Sequence, residues 1–312
     1  MIDPELAGVL DLLPAIDLSD PVAARAAMET MLSAMRAEIP GIETLSIEDR
    51  QIPGWEDDPD VGVRIYRSVS AAEPSPAILY IHGGGFILGS VESEHAGAAV
   101  TAIETGAVVV SVEYRLAPEH AFPAALHDCY GALRFLASHA GELGADTDRL
   151  AVYGASAGGG LAAATALFAR DQGGPSLCFQ MLQIPELDDR LETPSMRTFT
   201  DTPMWNRPLA EQSWRAYLGV WPGGTDVSPY AAPARADDLS GLPPAYISTG
   251  EMDPLRDEGI LYGLRLLQAG VSVELHQFPG TFHGSSLVST AAVSIRARTE
   301  ASLVLRRALG VG

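Results

Sequence analysis

Apolar residues at Ala24, Met28, Leu32 and Met35 recur at steps of three and four, between the start signal Asp20-Pro21 and the break at Pro40-Gly41. The spacing predicts an amphipathic N-terminal helix. Pro53-Gly54 and the acidic run Glu56-Asp57-Asp58 mark a loop. Beyond it the pattern shifts to short apolar runs of strand character. These run from Val63 to Tyr66, Ala77 to Ile81, Val108 to Val112, Leu150 to Tyr153, Cys178 to Ile184, Ala245 to Ser248 and Val271 to Phe278. Helical stretches separate most of them. Strands alternating with helices predict an α/β fold with a mainly parallel sheet and right-handed crossovers.

Between Asp188 and Arg235 this rhythm breaks, and the segment is rich in Pro, Arg and Trp, with Trp205, Trp214 and Trp221 among the chain's four tryptophans. It reads as an insertion above the sheet, beside the N-terminal helix. Residues 1–50 are then an N-terminal cap segment, 188–235 a cap insertion, and 51–187 with 236–312 the core. Leu150 to Ala169 carries no charge and is long enough to span a bilayer, but its glycines and alanines suit a strand, a tight turn and a buried helix. The first residues include Asp3 and Glu5 and lack a basic start, unlike a secretory signal, so a cytoplasmic location is expected.

The formal charge of −20 repels polyanions and makes nucleic acid and anionic membrane poor partners. All twenty basic residues are arginines. The absence of lysine removes a Walker-type phosphate loop, a Schiff-base amine and a Ser-Lys dyad. Cys129 and Cys178 lie far apart and read as buried thiols, with no disulfide framework and no Cys-x-x-Cys metal site.

The candidate chemistry sits at strand ends. Leu150 to Tyr153 runs into Gly154-Ala155-Ser156-Ala157-Gly158 and then a small-residue helix, the strand-turn-helix setting of a G-x-S-x-G elbow. Ala77 to Ile81 ends in His82-Gly83-Gly84-Gly85-Phe86, a loop whose backbone N–H groups can face a developing oxyanion. A base and an acid follow the serine in the order such elbows require: Asp253 just past one strand and His283 just past the next. His276 is a rival base, but it lies inside a strand with Ser272 and Glu274 on a polar face, where solvent exposure is expected. His82, His95, His120, His127 and His139 precede the serine and are taken as structural. Asp257 and Glu258 rival Asp253 but fall in the first turn of the next helix, where acids are favoured anyway.

Together with Tyr114-Arg115-Leu116-Ala117-Pro118-Glu119-His120, Phe122-Pro123-Ala124-Ala125 and Asp253-Pro254-Leu255-Arg256-Asp257-Glu258-Gly259, these motifs resemble the bacterial hormone-sensitive-lipase-like esterases (family IV). The likeness spans roughly Val61 to the C-terminus. It implies a doubly wound core under a helical cap, an oxyanion hole from the amides of Gly84, Gly85 and Ala157, and small-molecule ester substrates. It also implies that the homodimer common among such esterases is open to this chain. Two positions depart from the family pattern: Ala155, where Asp or Thr is usual, and Ser285, where an aromatic residue is common.

The expected reaction is ester hydrolysis through an acyl-enzyme on Ser156, with His283 as base and Asp253 as its orienting acid, needing neither metal nor organic cofactor. Phe86, Met28, Met31, Met35, Trp205 and Trp214, with Trp221, are candidates for walling a short-to-medium acyl pocket, or simply for packing the cap. Amide, lactone or thioester cleavage would use the same three residues. A hydrolase-like fold that only binds is a remoter alternative. So is a dinucleotide site: Gly158 to Ala163 fits G-x-G-x-x-A with Glu186 downstream, but its first glycine trails the strand by a serine turn.

Overall fold

The computed structural model describes residues 1–13, 16–34, 38–70 and 74–311. Its eight strands are β1 (Leu45–Ile52), β2 (Val61–Ser68), β3 (Ser75–Ile81), β4 (Val108–Glu113), β5 (Ala145–Ala155), β6 (Phe179–Gln183), β7 (Ala245–Gly250) and β8 (Val273–Phe278). They form one sheet in the order β1-β2-β4-β3-β5-β6-β7-β8. β1 and β2 pair antiparallel, as do β2 and β4, while the pairs from β4 through β8 are parallel.

The helices are α1 (Pro4–Ala7), α2 (Pro21–Ala34), α3 (His95–Thr105), α4 (Ala124–Ser138), α5 (Ala140–Leu143), α6 (Ala157–Asp171), α7 (Pro194–Thr198), α8 (Arg207–Leu218), α9 (Arg256–Gln268) and α10 (Ala292–Ala308). Every residue of β3 is buried because both sheet faces are covered. Ala77, Leu79 and Ile81 join one core with Leu133 of α4, Leu161 of α6 and Leu266 of α9. Ile78 and Tyr80 point the other way, into a core with Ala99 of α3 and Val304 of α10. This is a doubly wound α/β sheet. The uncharged stretch from Leu150 falls within β5, a turn and α6, and among the described residues no helix is long and apolar enough to cross a membrane.

All seven expected strands are present, but three expectations need correction. β1 carried no apolar signal, since an edge strand with only Leu45 and Ile52 buried can hold Glu48, Asp49 and Arg50 on its solvated positions. β6 begins at Phe179, leaving Cys178 half-buried while Cys129 is fully buried. β8 begins at Val273, two residues past the expected start.

The N-terminal segment and residues 188–235 both lie against the loop that follows β3. Arg25 of α2 donates to the Ile87 carbonyl (2.7 Å) and the Ala117 carbonyl (2.8 Å), and its fork also grips Glu119. From the other side, Ser213 of α8 donates to the Gly85 carbonyl (2.9 Å), and Tyr217 stacks on Phe86. Leu6 of α1 packs with Phe282 and Ala291 beside the loop after β8.

Arg25 is therefore expected to clamp the helix to the core. Arg25→Ala should cost about 1–2 kcal/mol in urea unfolding at pH 7, since charge-assisted bonds to carbonyls are lost. Its guanidinium lowers the Glu119 carboxyl to about 2. A carboxylate with a depressed pKa contributes stability that is full above its unfolded value and fades as pH falls towards the folded one. The gap between wild type and variant should therefore shrink between pH 4.5 and 2. A gap that stays constant over that range would remove Glu119 from the clamp.

Candidate active site

Ser156 sits at the hinge between β5 and α6 with φ 58° and ψ −125°, a backbone conformation that costs a non-glycine residue energy. The surroundings hold it there. Its N–H donates to the Gln183 carbonyl (2.9 Å), and its carbonyl accepts from the amides of Gly160 (3.0 Å) and Glu186 (3.1 Å). The turn also needs empty space at Gly158, where a β-carbon would fall inside contact distance of the Ile81 and His82 carbonyls.

Ser156 Oγ meets His283 Nε2 at 2.9 Å, and His283 Nδ1 meets Asp253 Oδ2 at 2.7 Å. The other Asp253 oxygen accepts from the Leu255 amide (2.9 Å). All three side chains are nearly out of water, at 9 %, 7 % and 1 % exposure for Ser156, His283 and Asp253. The three sequence candidates, 127 and 30 residues apart along the chain, thus form one linear chain of hydrogen bonds. A carboxylate on Nδ1 leaves the free Nε2 lone pair facing the hydroxyl, the arrangement that lets an imidazole take a serine proton.

The rivals lie elsewhere. Asp257 accepts from the Ser195 amide and pairs with Arg256, and Glu258 accepts from the amides of Leu187 and Asp188, so both tie α9 to the segment after β6. His276 is not free in solvent as expected. The helix α10 covers that face, so Nδ1 pairs with Glu300 (2.6 Å), Nε2 receives Arg296 (2.8 Å), and the ring stacks on Phe278. His95, His127 and His139 bond to Tyr66, Asp58 and Ser138 respectively, away from the serine.

The loop after β3 closes over the elbow. A β-carbon on Gly83 would lie 3.6 Å from Ser156 Cβ. Gly84 adopts φ +123°, a value side chains rarely tolerate. Among the described residues, none accepts a hydrogen bond from the N–H of Gly84, Gly85 or Ala157. His82 is wholly buried, with Nδ1 on the Gly83 carbonyl (2.9 Å) and its ring stacked on Tyr114. Burial lowers its pKa to about 4, so it stays neutral and holds the loop.

Phe86, Trp205 and Trp214 are buried beside this loop, with Trp205 ring-to-ring with His283 at 5.8 Å and Phe86 with Trp214 at 5.4 Å. Met28 is half-buried against the main core. The Met31 side chain and Met35 lie outside the described residues. Trp221 is 67 % exposed beneath Arg215 and walls no pocket. The dinucleotide alternative also fails on placement, since Gly158 to Ala163 are buried within α6, behind the serine. Among the described residues, no group of three or more His, Cys, Asp and Glu is arranged to hold a metal ion.

Two neighbours of the site escaped the sequence. Ser213 carries no motif. Glu186 drew notice only as a ribose acceptor, yet its amide braces Ser156 and its side chain is fully buried. An acid inside the run Ile184-Pro185-Glu186-Leu187, just past a strand, was the signal available.

Residues 78–287 match a family model described as the α/β-hydrolase fold. The chain is 40% identical to the carboxylesterase NlhH of Mycobacterium tuberculosis, over 99% of this chain and 96% of that one. It is 38% identical to the esterase LipI of the same species, covering 90% and 91%. A solved structure titled bacterial heroin esterase superposes with a TM-score of 0.96 at 55% identity, covering 99% of this chain and 98% of that one.

The close approach at Gly158 yields a direct test. Gly158→Ala must push the elbow off two backbone carbonyls that cannot retreat, so it should cost more than about 3 kcal/mol, the range of severe strain or overpacking. Soluble expression and thermal melting read this out. A variant that melted like wild type would mean the turn has slack that the packing does not show.

Proposed function

The chain belongs to the α/β-hydrolase family, within the hormone-sensitive-lipase-like esterases, and on that premise we propose that Ser156, His283 and Asp253 are its catalytic triad. It is a serine carboxylesterase. The observation that carries the assignment is the continuous hydrogen-bond chain from Ser156 Oγ to the buried Asp253 carboxylate.

Ser156 Oγ attacks the ester carbonyl as His283 Nε2 takes its proton, giving a tetrahedral oxyanion. The amides of Gly84, Gly85 and Ala157, which have no acceptor among the described residues, receive that charge. His82 and Gly83 support the loop that presents them. The proton on Nε2 then goes to the departing alcohol, leaving an acyl ester on Ser156. Water enters, His283 removes its proton, and a second oxyanion collapses to release the acid. Asp253 keeps the imidazole in one tautomer and stabilises its cation. This cycle calls on no metal or organic cofactor.

Substrates are small esters with short-to-medium acyl groups, a reading supported by the buried aromatic side chains of Phe86, Trp205 and Trp214 near the triad, with Met28, Met31 and Met35 kept as further wall candidates from the sequence. The cap that supplies these walls consists of residues 1–50 and 188–235, except that β1 already belongs to the sheet. A net charge of −20 argues against nucleic acid as a partner. A homodimer is in keeping with β8, an open sheet edge that exposes Leu275.

Ser156→Ala should fold normally and lose turnover by about a millionfold, as comparable triads do. His276→Ala should stay within about threefold of wild type, because its partners are Glu300 and Arg296. An active Ser156→Ala, or an inactive but folded His276→Ala, overturns the assignment. Along a series of p-nitrophenyl esters, kcat/KM should rise about fourfold per methylene, the equivalent of roughly 0.8 kcal/mol, up to about four to eight carbons and then fall. Trp205→Ala should move that optimum to longer chains. An unchanged profile would place Trp205 outside the acyl pocket.

A further inference from the structure

Glu186 is a buried acid for which the proposed cycle has no use. It follows β6, its amide braces the Ser156 carbonyl, and its side chain has no exposure to solvent. Neither carboxyl oxygen finds a partner in good hydrogen-bond geometry, although Ser213 lies close enough to act on it. The ionisable groups that face it are Asp253, the triad acid already bonded to His283, and Glu258 on α9. Both are acids, so a second negative charge here would be buried, unpaired and repelled.

Ser213 links this acid to the machinery. It sits on α8 and gives its only hydroxyl hydrogen to the Gly85 carbonyl at 2.9 Å, on the loop that presents the Gly84 and Gly85 amides. A protonated carboxyl at Glu186 can donate to Ser213 Oγ and leave that bond intact, because a hydroxyl accepts while it donates. An ionised Glu186 can only accept, and would compete with Gly85 for the same hydrogen.

We propose that Glu186 is a positioning residue that acts as the neutral acid: it holds Ser213 on the oxyanion loop, and its ionisation releases the loop and switches the esterase off. The proposal rests on the triad and oxyanion-hole assignment above. Burial pushes the Glu186 carboxyl up to about 8, with Ser213 offsetting part of the rise and Asp253 adding to it. Glu186 is thus the group placed to titrate beside the site under mildly alkaline conditions.

The test is kcat/KM against pH for the full-length enzyme with p-nitrophenyl butyrate, corrected for spontaneous hydrolysis. Wild type should lose activity on an alkaline limb with a midpoint near 8. Glu186→Ala should lower kcat about tenfold at pH 7. Glu186→Gln, whose amide donates as the neutral acid does but cannot ionise, should recover most of that loss and show no alkaline limb. Ser213→Ala removes the link to the Gly85 carbonyl itself, so it should lower kcat at pH 7 about as far as Glu186→Ala does and show no alkaline limb.

A Gln variant that keeps the wild-type limb, or one that falls as far as Ala while still folded, overturns the proposal. Should the Gln variant fail to fold, the Ser213→Ala limb decides: a limb that disappears supports it and a limb that stays put refutes it. Titration of Ser156 with a phosphonate at pH 7 separates the two levels. Stoichiometric labelling of every variant with an unmoved limb rejects the role of Glu186 alone, whereas labelling away from Ser156 rejects the triad beneath it.

Discussion

Everything at this site hangs on one backbone turn. Ser156 adopts φ 58° between a buried strand and a buried helix, a conformation that an isolated residue avoids at a cost of order 1–3 kcal/mol. Tertiary structure imposes it: the amide is fixed on Gln183, the carbonyl receives Gly160 and Glu186, and Gly158 slots against the carbonyls that end β3. The strain aims Oγ away from the sheet and towards the imidazole. It also begins α6 directly behind Ser156, at the helix end whose first N–H groups lack partners within the helix, Ala157 among them.

The sheet supplies the other partners through its topology. β3, β5, β7 and β8 run parallel, so their carboxyl ends lie along one edge of the sheet. The loops leaving those ends carry His82 to Phe86, Ser156, Asp253 and His283. Residues more than a hundred apart along the chain come within hydrogen-bond distance without any of them sitting on a long flexible loop. Arg25 from α2 and Ser213 from α8 then grip the loop after β3 from two sides, which makes its geometry a joint property of core and covering segments.

Sequence reveals such a site well where chemistry demands particular residues and poorly where geometry alone decides. Ser156, His283 and Asp253 were legible because an elbow needs small neighbours and because base and acid must follow strands in a set order. Seven of the eight strands were legible from their apolar runs. β1 was not, since an edge strand on a solvated flank can be mostly charged. The environment of His276 was missed because α10, which covers it, is remote in sequence and carries Arg296 and Glu300 with no motif of their own. Trp221 looked like its neighbours Trp205 and Trp214, and only the fold shows that it points to solvent. Glu186 and Ser213 are the same kind of case: their importance arises from burial and mutual placement.

The central claim is that a single serine at the strained turn forms a covalent acyl intermediate. Stopped-flow mixing with p-nitrophenyl acetate, followed by intact-mass and peptide analysis of the acid-quenched enzyme, tests it most directly. The account predicts one acetyl group, a gain of about 42 Da, per chain on the peptide that contains Ser156, formed no more slowly than steady-state turnover. Acetylation of a different residue at that rate, or full turnover with no acetylated enzyme under conditions where deacylation limits the rate, would contradict it.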